Sequence, residues 1–429
     1  IEKIITFPSP LFIGRGLKQK ARVATSSLIF VLNRKVPPAL NQVEIINYKD
    51  SDDTIEKTLK NILAGKKISK KKISQNKLFQ NIANWNFIKQ SKKFLDFYEE
   101  YKKNTDDISV YYNHAWAEHQ FKSKFYFDIG YNINEKLLQN KIVSDNYQYP
   151  KLSDKFWSIK SIKGYWQNER RGGSKFQIKL LTTNQGYNLL DTPYKVLWSY
   201  INPKKFHFSS LPLIWARNQM CAIGSKNKTE LFYLFAILNS PINQNLLNTL
   251  LKTEQEKDLL VSLASIKGFI RIPKITEDNQ RIKEEIIKYI EELLKLEEKI
   301  LSDFIDFSKV MVQKFDNVSI EEGDLILGKD REKIKIQIKN DRNLVKKTID
   351  KKYNEGLKLE KLSINLSELK TLLVIDYKKQ QELKNYIDDL VFALYFNINL
   401  EKFGLNQAEK IKVKCSKNSY YGLVNKYEN

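Results

Sequence analysis

Short runs of β-branched and apolar residues, cut by turn residues at intervals too brief for a helix, crowd the first 50 positions of this chain. They are Ile4-Ile5-Thr6-Phe7, Leu11-Phe12 ahead of Gly14-Arg15-Gly16, TSSLIFVLNRK at 25–35 and QVEIINYKD at 42–50. Runs of this length and composition between turn signals read as buried strands. Residues 51–105 are charged and read as helical, with KKISKKK at 66–72 as an exposed loop, solvated in the default reading and a phosphate contact in the minority one. From 106 to 230 the chain is aromatic, irregular and strand-rich, with Tyr111, Trp116, Phe127, Trp157, Trp166 and Trp198 among its rings. Residues 230–251 read as a helix broken at Asn239-Ser240-Pro241, where Ser240 can cap and Pro241 can open a second helix. Residues 281–301 place Ile282, Ile286, Ile290, Leu293 and Ile300 near one stripe of an amphipathic helix. KIKIQIK at 333–339 alternates like a strand, and a last helix, QQELKNYIDDLVFALYF, puts Ile387, Leu390, Val391 and Leu394 on one face. No fixed-period repeat occurs, which argues against a solenoid.

At 429 residues the chain suits two or three domains, and 42% hydrophobic content with 22 Tyr, 23 Phe and 6 Trp is enough to build cores. Its charge is more telling. Against 50 Asp and Glu stand 73 Lys and Arg, a formal net charge of +23. Such a surface attracts polyanions, nucleic acid first among them, and binding of that kind weakens steeply with salt. A general lysine bias in the composition is the bland alternative. Two cysteines, Cys221 and Cys415, form no CxxC and suggest neither a disulfide framework nor a zinc site. No apolar run approaches the ~18 residues of a membrane span and no secretory signal pattern opens the chain, so a cytoplasmic location without a membrane partner is expected. The start at Ile1, without Met, reads as a downstream portion of something longer.

Few catalytic motifs are complete. His114 and His119 are five apart, not the i, i+4 spacing of a helical metal pair, and His207 has no evident nucleophile beside it. FIGRG at 12–16 matches the FxGxG of S-adenosylmethionine sites, but a basic segment and another strand come after it. Asp96 with Glu100-Tyr101-Lys102 fits, loosely, the carboxylate and lysine pattern of magnesium-dependent nucleases. No metal site is expected. Most informative is the lack of any Asn/Asp-Pro-Pro-Tyr/Phe tetrapeptide, which amino methylation of adenine needs to hold the exocyclic nitrogen of a flipped base; the one Pro-Pro is Val36-Pro37-Pro38-Ala39.

Three stretches in order nevertheless resemble the carboxyl-terminal half of the adenine-specific DNA methyltransferases of type IIG and type I restriction-modification systems. IITFPSPLFIGRG with TSSLIFVLNRK and VEIINY is similar to the segment after the catalytic tetrapeptide. FYLFAILNSPINQNLL at 232–247, with the strand-like IKGFIRIPKI at 266–275 and YIEELLKLEEKI after it, is similar to their target-recognition domains. YIDDLVFALYFNI at 386–398 resembles a helix near their end. The resemblance implies a mixed α/β chain. Residues 1–105 would be the terminal strands of a methyltransferase-like sheet, 106–280 an α+β target-recognition domain, and 281–429 a helical region with a small strand-containing segment. It implies double-stranded DNA as partner and S-adenosylmethionine as cofactor of the complete enzyme. The cofactor-binding and catalytic residues are then expected upstream of Ile1 or on a separate catalytic chain, leaving this chain inactive alone.

Base reading of that kind needs Arg or Lys for guanine and Asn or Gln for adenine, with phosphate contacts fixing register. GYWQNERRGGSKFQIKLLTTNQGYN at 164–188 supplies them: Gln167, Asn168, Arg170 and Arg171 before Gly172-Gly173, then Lys175, Gln177 and Lys179 alternating, then Asn184 and Gln185. A solvated polar hairpin is the plain alternative. Phe79, Trp85 and Phe87 are in range as an aromatic platform for a flipped base or, equally, as core. Residues 302–380 read as a spacer able to touch backbone phosphate. Two other functions stay open: a stand-alone DNA-binding specificity subunit without methyltransferase activity, and a metal-dependent nuclease using Asp96 and Glu100.

Overall fold

The computed structural model of the chain describes residues 1–7, 27–48, 57, 60, 61, 63–66, 68–79, 90–108, 127–130, 149–162, 177–180, 193–211, 213, 220–251, 258–354 and 363–424. The chain is mixed α/β, with several small sheets and helices among the described residues. It divides into two compact units that do not follow chain order: Ile1–Tyr112 with Ser199–Pro203 and Ile242–Lys274, and Asn113–Trp198 with Lys204–Pro241 and Ile275–Asn429.

In the first unit the expected opening strands form a four-stranded sheet. Lys3–Phe7 pairs antiparallel with Ser27–Val31 and parallel with Gln42–Tyr48, which pairs antiparallel with Ile68–Ser74. Ile4, Val43, Ile45 and Ile73 alternate onto one face and close over Leu78 of the Gln75–Phe79 helix. Most of the lysine run expected as a loop, Ile68–Lys72, therefore lies in an edge strand. Its alternation lets Ile73 reach the core while Lys70 and Lys72 stay exposed, and exposed lysines on an edge discourage pairing with another chain. Lys71, half-buried between them, donates to the Gln90 carbonyl at 2.6 Å, and burial lowers its pKa to about 8.

The Lys92–Lys103 helix, capped by Ser91, buries Phe94, Phe97, Tyr98 and Tyr101 at helical spacing. The Tyr101 hydroxyl is 2.8 Å from Asn243 Oδ1 and accepts from the Arg271 amide at 2.9 Å. IKGFIRIPKI is only partly the expected strand. Ser262 and Ser265 form a capping box that starts a Leu263–Phe269 helix, and Arg271–Pro273 alone pairs, with Thr105–Asp107.

The second unit is layered. A three-stranded sheet, ordered His207–Ser209, Tyr194–Ser199, Met220–Ser225, packs on the Lys228–Asn239 helix, whose residues from Leu231 to Asn239 are all buried. A helix so apolar all round needs cover on every side. The Gln280–Lys295 helix packs on it and in turn meets Tyr377–Tyr395. Lys283 joins the first two helices through Glu230 at 2.7 Å, and Tyr289 and Tyr386 join the second pair edge to face at 5.0 Å. The break at Asn239-Ser240-Pro241 is as expected, but the Ser240 hydroxyl donates backwards to the Ile237 carbonyl at 2.7 Å and finishes the first helix. The amphipathic helix stops at Lys295, short of 301, and Ile300 instead bridges Leu373.

Within this unit, residues 301–374 have their own core of Leu301, Phe304, Phe315, Leu327, Val345 and Leu369. A meander of Asn317–Glu321, Asp324–Lys329 and Glu332–Gln337 forms one wall. Its first turn, Glu322-Gly323, has positive φ at both residues, as a type I′ hairpin requires. The Arg342–Ile349 helix continues into a π-helical turn, Asp350–Asn354. No helix among the described residues is long and apolar enough to cross a membrane.

Candidate nucleic-acid interface

Of the residues expected to read bases, Gln177 and Lys179 occupy alternate positions of the Gln177–Leu180 strand, opposite Gly130 and Asp128 of Phe127–Gly130. Gln167, Asn168, Arg170, Arg171, Lys175, Asn184 and Gln185 lie outside the described residues, as do FIGRG at 12–16, Trp85, Phe87, His114 and His119. Phe79 ends the Gln75–Phe79 helix. What the structure does describe is how the chain entering this stretch is held.

That hold is a buried carboxylate. Glu297, fully buried just beyond the Gln280–Lys295 helix, accepts from the Trp157 amide at 2.6 Å, the Ser158 amide at 2.8 Å and the Ser158 hydroxyl at 2.6 Å. Gln380 Nε2 adds a fourth donor at 2.8 Å from the Tyr377–Tyr395 helix. A carboxylate taken out of water is costly unless its lone pairs are filled, and here both oxygens are served. One side chain thus ties residues 157 and 158 to two helices. The sequence carried a signal for it: position 297 continues the spacing of Ile286, Ile290 and Leu293, so an acid sits where the stripe demands an apolar group.

Cations gather around the same segment. Lys205 Nζ stands 4.0 Å from the Trp157 ring centroid and Lys384 Nζ 5.6 Å from it. Burial lowers the pKa of Lys205 against an opposing pull from Glu297. Lys384 pairs with Asp388, whose carboxyl burial pushes up to about 6 despite that partner. Asp154 pairs with Lys204 at 2.6 Å on the surface. His207 is buried nearby in sequence; desolvation first, then the charge of Lys205, lowers its pKa to about 4, and its Nδ1 has no hydrogen-bond partner among the described residues. A neutral, enclosed imidazole of this kind fills space in a core and is ill placed to relay protons to solvent.

Of the nuclease-like pattern, Asp96 is exposed and the other residues have local partners or are buried. Lys102 pairs with Glu99, Glu100 with Lys103, and Tyr101 is wholly buried. Among the described residues no group of three or more His, Cys, Asp and Glu is placed to hold a metal ion.

No protein-family model matches the sequence, and no curated protein matches it. Among solved structures, the type IIG restriction endonuclease BpuSI aligns with 92% of this chain at 13% identity and a TM-score of 0.25. The chain spans 44% of that protein's length.

Proposed function

We propose that this chain supplies sequence-specific recognition of double-stranded DNA within an adenine-N6 DNA methyltransferase of a restriction-modification system. The observation that carries the DNA part is the net charge of +23, because neutralising phosphates with counterion release is what such an excess does best. The methyltransferase part is supported by the ordered resemblance of the three sequence stretches. In this reading the side chains of 164–188 contact base edges, and the carboxylate of Glu297 fixes the segment that leads into them.

Methyl transfer itself belongs to another part of the enzyme. The catalytic tetrapeptide does not occur in these residues. Nor does the start of the chain fit S-adenosylmethionine. Lys3–Phe7 and Ser27–Val31, which flank FIGRG, pair antiparallel from Phe7 opposite Ser27, whereas a nucleotide-binding glycine loop leads from a strand into a helix and on to a parallel strand. The chain's contribution is to bind, orient and select DNA.

Selection of bound duplexes from a random-sequence pool tests this. A single enriched motif, relaxed at one position by Arg170→Ala or Arg171→Ala, is the expected result. Absence of any duplex binding at low salt refutes the assignment. Binding without an enriched motif leaves a DNA-binding protein but removes target recognition.

A further inference from the structure

The second unit holds a cleft of about 690 Å³ that neither the base-reading stretch nor the carboxylate clamp explains. Lys347, Lys351 and Lys352 from the Arg342–Ile349 helix and its π-helical extension line one side, Lys378 opens the Tyr377–Tyr395 helix on another, and Lys155 reaches in from the clamped segment. Five lysines meet two acids, Asp350 and Asp376, and the Asp376 carboxylate is engaged as a helix cap by the Lys379 amide at 3.0 Å. Among the described residues Lys155, Lys347, Lys351 and Lys352 form no ion pair, and all four are exposed. Lys378 makes a loose one with Glu382 at 3.8 Å.

The contrast with a neighbouring element is informative. On the Glu332–Gln337 strand Lys333 is matched by Glu321, and Lys335 by Glu322 and Asp324. Lysines there are solvated partners of acids. Those in the cleft outnumber its acids five to two, and like charges held together repel unless an anion joins them. Tyr377, 47% exposed, adds an aromatic face beneath Lys351, 5.5 Å from its ring centroid. Cation clusters with a ring at a concave surface suit phosphodiester chains. A π-helical turn, uncommon in itself, is frequent at functional sites, and here it carries two of the lysines.

We propose that this cleft grips the phosphate backbone of duplex DNA independently of sequence, and so fixes the register in which another part of the chain reads bases. The grip rests on the DNA-binding reading and deepens it. Glu297 acts on the cleft as a positioning residue, since it holds Trp157, two residues from Lys155, and Gln380, three residues from Tyr377.

The test uses the full chain, a mixed-sequence duplex, and a titration of salt from 50 mM to 0.5 M. Each phosphate contact contributes ~0.9 to the slope of log affinity against log salt. The triple variant Lys347→Gln, Lys351→Gln, Lys352→Gln is expected to lower that slope by about 2.7 and to weaken binding roughly 10²-fold at 0.15 M salt, equally on every sequence. The matching triple arginine variant keeps the charge and is expected to keep the slope. Wild-type binding with an unchanged slope in the glutamine variant overturns the cleft while leaving DNA binding intact. Arginine and glutamine variants that lose affinity alike show a structural effect and overturn it too. A wild-type chain that binds no duplex at 50 mM salt overturns both readings together.

Discussion

Replacing Glu297 by Ala removes one carboxylate and strands four donors. The amides of Trp157 and Ser158 lose acceptors at 2.6 and 2.8 Å in a place where water does not readily replace them. Each unsatisfied buried amide costs ~1–3 kcal/mol. The hydroxyl of Ser158 and the amide of Gln380 can turn elsewhere and add little. Against this, the variant no longer buries a charge, which offsets part of the loss. The net expectation is roughly 3 kcal/mol of destabilisation, and at ~2–4 °C per kcal/mol for a unit of this size the melting point falls by about 6–12 °C. Glu297→Gln keeps an acceptor for Trp157 but turns an NH₂ toward the Ser158 amide, so roughly half that loss is expected. Urea unfolding monitored by circular dichroism measures both. Ser158→Ala alone is expected to cost about 1 kcal/mol, and almost nothing when Glu297 is already Ala, because the two share one hydrogen bond. A Glu297→Ala protein within ~0.5 kcal/mol of wild type, or additive losses in the double variant, refutes the clamp.

Two buried groups carry further predictions. His207 is neutral in the fold, with its pKa lowered to about 4 from an ordinary 6.5. The unfolded chain therefore takes up a proton first as pH falls, and stability drains between about pH 6.5 and 4, on the order of 3 kcal/mol in all. Urea unfolding at pH 7, 5.5 and 4.5 should show the wild type losing about 2.4 kcal/mol more than His207→Gln by pH 4.5; parallel pH profiles would exclude the buried imidazole as the cause. Tyr101→Phe removes a hydroxyl shared by Asn243 and the Arg271 amide, and a loss of roughly 1–3 kcal/mol in the same assay is expected. An unchanged midpoint would mean that these groups find other partners.

The elements most readable from sequence are those whose pattern and packing agree. The Lys3–Phe7, Ser27–Val31 and Gln42–Tyr48 strands lie where short β-branched and apolar runs predict them, although Ile29 and Phe30 of the edge strand stay exposed, the Glu332–Gln337 strand appears where KIKIQIK alternates, and Pro241 opens a helix where proline is tolerated. Sequence misleads where one strong signal masks a weaker one. Three lysines in a row suggest a solvated loop, yet they form a strand in which Lys71 and Ile73, two apart, turn inward while Lys70 and Lys72 stay exposed. Five apolar residues from Ile282 to Ile300 suggest one continuous helix, yet Glu297 on the same stripe marks a turn away. What Glu297 holds is illegible for a different reason. Residues 157, 297 and 380 are brought together by tertiary folding, and no local spacing joins them. The lysines of the cleft are hidden likewise, because the sequence shows where charges are and not which of them find acids.

That last distinction decides what the charge excess means. A general lysine bias spreads cations over the surface, where each settles beside whichever acid is near, as Lys333 and Lys335 do. It does not by itself draw lysines from residues 155, 347, 351, 352 and 378 to one concavity. Gathering them has an electrostatic cost that two acids in the same lining offset only in part, and that a bound polyanion offsets further. The two devices in this unit are therefore coupled. The carboxylate that holds Trp157 also holds Gln380, and so places both Lys155 and the start of the Tyr377 helix. Loosening it in Glu297→Gln should soften the grip on phosphate as well as the fold, lowering the salt slope by at most ~2, for Lys155 and Lys378, while the lysines at 347, 351 and 352 keep theirs.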